Sequence, residues 1–422
     1  MWDLIILGGG AAGLWAAGTA ASLGVRTLVL EKNKKPGVKI LMSGGTRCNL
    51  THNCGIDGIL SAFGNQGRFL KPALHVLSPQ QIISSFNQLG VATKIEDSGK
   101  VFPVSDRAID VRDALVHRLL SHGATLACGE AVNQVRPAGN QENTWEITTI
   151  KANYQSRFVL VCCGGLSFPG CGTTGDGYAW ASAMGHTVVP TCPALTPLLS
   201  SAEWVHSLTG ITQNDVLVRV QIDGSKEKDP RMSSRGGFLW THFGCSGPAP
   251  MNVSRFVSQL SPGQQASLVV DLVPNLSEVE LQNLFSPDRQ ARRQIQSQLQ
   301  SFVPRKLAER LMFRAHIAEG VTLAELPRKG RQSLLEDLKR LPIPICGTRG
   351  YAKAEVTRGG VKTQEVNPQT MESRCVSGLY LAGEILDIDG PIGGFNFQAA
   401  FSTGHLAAHN IAKALKASSI TD

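Results

Sequence analysis

The chain is poor in the residues that mark several protein classes. Aromatic residues make up 6% of its 422 positions, with only four tyrosines. A nucleic-acid surface of stacked rings is therefore not indicated, and neither an RRM nor a KH signature occurs. Charged residues reach 18%, too few for a charge-rich disordered chain. The ten cysteines stand at irregular spacings without a CxxC pair, which argues against a secreted disulfide framework and against a zinc site. No metal is expected, and a reducing cytoplasm suits these thiols. No apolar run is long enough to span a bilayer, so no membrane partner is expected. The stretch Leu4-Ile5-Ile6-Leu7 breaks at Gly8 and lacks a basic flank, so it does not read as a secretory signal. What is present is 42% hydrophobic content, in a chain long enough for two or three domains. Lys+Arg number 41 against 33 Asp+Glu, a formal charge of +8. That excess suits anionic partners such as nucleotides or RNA, and equally well ordinary solubility. Nothing specifies an oligomeric state.

The first fifty residues carry a phosphate-binding pattern. Asp3-Leu4-Ile5-Ile6-Leu7 reads as a short buried parallel strand, followed by Gly8-Gly9-Gly10-Ala11-Ala12-Gly13 and a run of small helix-formers. In such a strand–turn–helix unit Gly8 allows the turn, Gly10 lets the backbone approach a pyrophosphate, and Gly13 permits close helix packing. The free N–H groups at Ala11 and Ala12 then meet the phosphates. A second apolar strand at 25–30 ends in Glu31, with Lys32 beside it, about 20 residues past the turn, where a carboxylate can accept the adenosine ribose hydroxyls. An acid there disfavours a 2′-phosphate, so the site suits FAD or NAD rather than NADP.

The far end favours FAD. Gly378-Leu379-Tyr380-Leu381-Ala382-Gly383-Glu384 reads as a strand returning to the same sheet. Gly393-Gly394-Phe395-Asn396 then places backbone N–H groups beside a flavin ring, while Glu384, Asp387 or Asp389 reaches the ribityl chain. NAD alone needs no such second clamp. A further strand at 158–163 ends at Gly164-Gly165, at the cofactor. Gly170-Cys171-Gly172-Thr173-Thr174-Gly175 repeats the glycine spacing but lies beyond a strand end, so no second nucleotide domain is expected. A nicotinamide donor, NADPH or NADH, would therefore bind transiently.

Lys39-Ile40-Leu41-Met42-Ser43-Gly44-Gly45-Thr46-Arg47-Cys48-Asn49-Leu50-Thr51 adds a more specific pattern. With it go Val101-Phe102-Pro103, Gly172-Thr173-Thr174-Gly175-Asp176-Gly177-Tyr178, Thr241-His242-Phe243-Gly244, Ser246-Gly247-Pro248, Thr357-Arg358-Gly359-Gly360-Val361 and Thr370-Met371-Glu372-Ser373. Together these motifs resemble the BaiN/RdsA (YhiN-like) family of FAD-dependent oxidoreductases over nearly the whole chain. Two departures are Cys162-Cys163, where relatives commonly have Ala-Thr, and Phe395, where Tyr is usual. The resemblance implies an α/β fold with a Rossmann-like, glutathione-reductase-like FAD domain at 1–190 and 361–422. A β-rich insertion at 191–275, a helical insertion at 276–344 and a return through the β-rich domain at 345–360 interrupt it. The pattern agrees, with strand-like runs at 216–222 and 266–273 and helical spacing over 277–341. It also implies that Lys39, Ser43, Gly44, Gly45, Arg47, Cys48 and Asn49 join the cofactor site. Within 276–340 there are 12 Lys+Arg and 8 Asp+Glu, a surplus of 12 − 8 = +4. That segment is the face best suited to a polyanion, or simply a solvated helical surface.

FAD chemistry on a polarised carbon–carbon double bond requires a proton donor and a polarising cation beside the hydride source. Cys48 next to Arg47 can donate, since a cation lowers a thiol's pKa; alternatively Cys48 packs and Arg47 binds FAD phosphate. His242 is a second candidate acid, or a structural cap. Arg358, before two glycines, can bring a fixed charge to substrate or flavin. Cys162 and Cys163 read as inert core thiols. The resemblance points to uridine in large-subunit (23S) ribosomal RNA as the substrate, reduced to dihydrouridine. Reduction of a small enone or steroid-like acceptor, and a non-catalytic flavin sensor or ribosome-associated factor, are the competing readings.

Overall fold

The computed structural model describes residues 1–138, 144–224, 229–286 and 291–421. Among these the chain divides into two compact units, Met1–Cys192 with Glu355–Asp422, and Pro193–Ala354.

The first unit is built on a seven-stranded sheet. Trp2–Leu7 lies between Thr27–Glu31 and Asn153–Val161, and Thr125–Cys128 extends the sheet beyond Thr27–Glu31, all parallel. Asn153–Val161 pairs antiparallel with Trp145–Thr149 through its first half and parallel with Leu379–Leu381 through its second. The returning strand expected from the C-terminal motif is thus in the cofactor sheet. Side chains alternate across that sheet with the period of two that strands impose. Leu4, Ile6, Val29 and Leu160 face one buried cluster, with Leu14, Trp15 and Phe401 from the helices Ala11–Ser22 and Phe395–Thr421. Ile5, Leu7, Leu28, Leu30, Val159 and Val161 face another. Coverage of both faces explains why these strands read as continuous apolar runs.

The second unit carries a seven-stranded antiparallel sheet. Its order is Leu341–Ile345, Ala266–Asp271, Thr212–Ile222, Ser233–Thr241, Gly244–Ser246, Leu198–Leu199, Gly347–Thr348. The helices Glu278–Leu284, Ile295–Leu299, Arg305–Arg314 and Arg328–Arg340 follow the sequence pattern. Ser277 opens the first of them with a capping box, accepting from the Glu280 N–H while the Glu280 carboxylate takes the Ser277 N–H. The segments expected as separate β-rich and helical insertions share one buried cluster, in which Val216, Val218, Leu268 and Val270 join Leu281, Leu299, Leu311 and Leu338. Residues 345–360 divide, with Gly347–Thr348 in this sheet and Val356–Val361 in the first unit, paired with Val188–Ala194. No described helix is long and apolar enough to cross a membrane.

Candidate cofactor and active site

Three segments of the first unit converge around the end of its central strand. The first is the glycine turn. Gly8 N–H donates to the Leu30 carbonyl at 2.9 Å, and helix Ala11–Ser22 starts at Gly10 without a side-chain cap. Its first N–H groups are therefore left for an external acceptor. A Cβ on Gly10 would meet nothing within 4 Å, whereas one on Gly13 would stand 2.0 Å from the Gly8 carbonyl oxygen. The turn is open where a pyrophosphate approaches and closed where helix meets strand. Glu31, only 7% exposed, accepts the Gly9 N–H at 2.7 Å on Oε2 and the Asn33 N–H at 2.8 Å on Oε1. Each oxygen keeps a second lone pair for a ribose hydroxyl. Lys32 turns to Asp176 at 2.6 Å.

The second segment runs from Lys39 to Thr51. Gly44, Gly45, Thr46 and Cys48 all take positive φ, at 55°, 66°, 68° and 62°. For Thr46 and Cys48 that conformation is strained and must be held by its surroundings. Ser43 holds one end, its hydroxyl donating to the Ile40 carbonyl and its own carbonyl accepting the Cys48 N–H. The Thr46 carbonyl, accepting from Ala108 N–H, holds the other. Asn49 is delivered into the interior, where its Oδ1 has no hydrogen-bond partner among the described residues. A buried acceptor of this kind calls for a donor. Cys48 is fully buried in the helix-side cluster, and that burial raises its thiol pKa to about 12. Arg47 does not lower it: the guanidinium pairs with Glu96 at 2.8 Å and Asp106 at 3.3 Å and lies 3.9 Å over the Phe102 ring. Its charge is compensated locally, and its own pKa is raised, first by the hydrogen bond to Glu96.

The third segment follows the returning strand. Gly383 donates its N–H to Thr403 Oγ1 at 3.0 Å and sits against helix Ala11–Ser22, where a Cβ would come within 3.0 Å of the Ala12 Cβ. A Cβ on Gly394 would stand 2.5 Å from the Thr51 carbonyl and 2.8 Å from Asn49 Oδ1. Segments two and three thus touch at a position only glycine can fill. Gly393 precedes it, and Phe395 stacks on His52 at 4.9 Å between centroids. Asn396 fastens the preceding loop, accepting the Gly390 N–H at 2.8 Å and donating to its carbonyl at 3.0 Å. Asp389 is 1% exposed, and its N–H donates to Gln66.

Glu384 ties the segments together. Its carboxylate takes the Lys39 ammonium, the Ser167 hydroxyl and the Thr357 N–H. Thr357 Oγ1 in turn accepts the N–H groups of Leu166 and Ser167 at 2.8 and 2.9 Å, just beyond Gly164-Gly165. The sequence reading offers Glu384, Asp387 or Asp389 for the ribityl chain; in the structure Glu384 Oε1 takes Ser167 and Thr357 and Oε2 takes Lys39. Thr357 lies in a segment singled out as a motif and Ser167 does not, and no spacing rule pairs residues 190 positions apart. Glu355, also missed, begins the same returning segment. Its side chain is exposed, so the upward shift of its carboxyl pKa by the surrounding chain, against the pull of Lys39 and Lys100, is limited by solvent. Arg358 bears on Asp387, whose carboxyl is raised by burial and drawn back by that charge. His242 is in the second unit, exposed in the turn between Ser233–Thr241 and Gly244–Ser246, with its ring edge-on to Phe243.

The chain matches the HI0933-like protein Rossmann domain over residues 2–410. It is 32% identical, over 97% of its length and 98% of theirs, to the ribosomal RNA dihydrouridine synthases of Escherichia coli K12 and Haemophilus influenzae. It is 31% identical, with the same coverage, to a 3-dehydro-bile acid delta(4,6)-reductase of Clostridium scindens. Among solved structures the fold is similar to a 3-ketosteroid delta1-dehydrogenase from Sterolibacterium denitrificans, with TM-score 0.54, 14% identity and coverage of 98% and 99% of the two chains. A flavocytochrome c3 fumarate reductase gives TM-score 0.52 at 14% identity, covering 98% of this chain and 78% of that one. The open turn, the buried Glu31 carboxylate and the orphaned Asn49 acceptor fit FAD, and the match over residues 2–410 places the chain in the HI0933-like Rossmann family, as an FAD-dependent oxidoreductase.

Proposed function

We propose that the chain reduces a conjugated carbon–carbon double bond, with uridine in ribosomal RNA as substrate, dihydrouridine as product, and NADPH or NADH as the transient electron donor. The observation that carries the choice of RNA is the charge balance of +8, half of it within residues 276–340. A polyanion gains from such an excess through counterion release, and a steroid does not. A ribosomal substrate would place the enzyme in the cytoplasm. Bound FAD supplies the hydride for one carbon, so the protein must supply a proton to the other.

On this reading the N–H groups at Ala11 and Ala12 bind the pyrophosphate, Glu31 the ribose, and Asn49 Oδ1 a donor on the cofactor. Lys39, Ser167, Thr357 and Glu384 hold the three segments in register rather than reacting. Of the two roles open to Cys48, burial and a pKa near 12 support packing. Glu355 is the candidate acid in its place: it lies within electrostatic reach of Lys39, which belongs to the second segment, and its carboxyl is shifted upward although exposed. His242 is the competing donor. The small-enone reading draws its support from the bile acid reductase at 31% identity.

The experiment is anaerobic reduction of the FAD-loaded protein with NADPH, addition of unmodified ribosomal RNA fragments, and measurement of flavin reoxidation with nucleoside mass. A gain of two hydrogens on uridine, weakened steeply by salt, is expected. Reoxidation by an enone but not by RNA would transfer the assignment to a small acceptor.

A further inference from the structure

His186, Glu365 and Cys375 come from three separate segments of the first unit and meet at one point. His186 lies between helix Asp176–Ala183 and strand Val188–Ala194. Glu365 closes the short turn Thr363–Glu365 beyond strand Val356–Val361, and Cys375 is in the loop entering Leu379–Leu381. His186 Nδ1 stands 3.5 Å from Glu365 Oε2 and 3.8 Å from Cys375 Sγ, and the three donor atoms lie within 4.8 Å of one another.

A tetrahedral zinc ion, with bonds near 2.0–2.1 Å to N and O and 2.3 Å to S, separates its ligand atoms by about 3.3–3.6 Å. The two distances to Nδ1 are therefore close to those of a tetrahedron's edges, before any ion draws the side chains inward. The imidazole is fully buried on its side chain, and Ser373 Oγ sits 2.7 Å from Nε2, so the ring is held with Nδ1 toward the sulfur and carboxylate. Ser373 is itself anchored, accepting the N–H groups of Cys375 and Val376 at 3.0 Å. Glu365 is oriented by the Thr187 N–H at 2.7 Å. Cys375 is exposed, which leaves a side open for a water as fourth ligand.

We infer that His186, Glu365 and Cys375 form a zinc site separate from the flavin machinery, with a nitrogen, an oxygen and a sulfur ligand. This donor set suits zinc better than the hard cations magnesium or calcium. Binding releases the Cys375 thiol proton, so affinity rises with pH. The ion clips the turns at the ends of the Val188–Ala194 and Val356–Val361 pair to the loop feeding the last strand of the cofactor sheet.

The test uses the full chain with FAD bound, equilibrated with zinc chloride, desalted and analysed for metal. The wild type should retain about one zinc per chain, more tightly at pH 8 than at pH 6. Cys375→Ser and His186→Ala should lose at least nine-tenths of it, while Cys346→Ser, which removes an exposed thiol outside the cluster, should lose none. If His186→Ala fails to fold, Glu365→Gln and the exposed-site variant Cys375→Ser still decide the matter, since flavin content and circular dichroism report their integrity. A wild type that retains no zinc, or equal retention in wild type and Cys375→Ser, overturns the inference. Neither result depends on which substrate the enzyme reduces.

Discussion

Replacing Glu31 by Gln tests the cofactor reading at the atom where structure and chemistry are most closely joined. The carboxylate accepts two buried backbone N–H groups, Gly9 on Oε2 at 2.7 Å and Asn33 on Oε1 at 2.8 Å. Glutamine has the same shape but one oxygen. Whichever way its amide turns, an NH2 faces an N–H at hydrogen-bond distance, so one charge-assisted bond, worth about 1.5–3 kcal/mol, is lost and a donor is stranded at about 1–3 kcal/mol. The Gly9 bond fixes the turn that must present the helix N-terminus, and on the proposed reading the carboxylate is also the ribose acceptor. If about 3 kcal/mol of the loss falls on the bound state, FAD affinity drops about a hundredfold. Titrating apoprotein with FAD and following flavin fluorescence gives the Kd, and thermal unfolding of the apoprotein separates loss of binding from loss of fold. Glu31→Ala, which strands both donors, should bind more weakly still. A Glu31→Gln protein that binds FAD within about threefold of wild type would refute the assignment of Glu31 to the cofactor and remove the main support for the first clamp.

Gly13→Ala puts a Cβ 2.0 Å from the Gly8 carbonyl oxygen, so helix and turn must separate; loss of FAD from the purified protein is expected, against retention in a Gly330→Ala control in helix Arg328–Arg340, where the nearest neighbour lies 3.5 Å away. Thr357→Val keeps the shape but strands the Leu166 and Ser167 N–H groups, and should cost about 2–4 kcal/mol in unfolding free energy by denaturant titration. Glu355→Gln should lower turnover at least a hundredfold and remove the alkaline limb of the pH profile, whereas Cys48→Ala should leave turnover within a fewfold; the opposite pattern would return the proton to the thiol. His405 accepts from Trp15 Nε1 at 3.3 Å, and burial, with His409 and Arg118 nearby, lowers its pKa to about 3. Its folded pKa lies below the unfolded 6.5, so the unfolded state binds the extra proton as pH falls from 6.5 towards 3. Stability should therefore decline with acid over that window by up to about 1.4 kcal/mol per pH unit, a slope that His405→Leu should reduce.

The parts of this protein that could be read from sequence are those in which residues close along the chain meet. The turn from Gly8 to Gly13 and the acid at Glu31 lie on consecutive elements of one βαβ unit, so their spacing carries the geometry. The returning strand was legible because Leu379–Leu381 is buried on both faces and its glycine-rich exit breaks the pattern. What spacing could not show is how the chain closes on itself. Glu384 reads, beside Asp387 and Asp389, as a candidate ribityl ligand because its strand ends at the cofactor, yet Lys39, Ser167 and Thr357 reach it from 345, 217 and 27 positions away and bond to its oxygens. Cys48 reads either as a donor activated by the preceding Arg47 or as a packed thiol, and the structure favours the second: with positive φ at Cys48 the sulfur lies in the core while the guanidinium turns out to Glu96. A neighbour in sequence is a neighbour in charge only when the backbone between them is regular. The strained loop from Gly44 to Cys48 is where that regularity fails, and it is also where Asn49 acquires the unsatisfied acceptor that a bound flavin would answer.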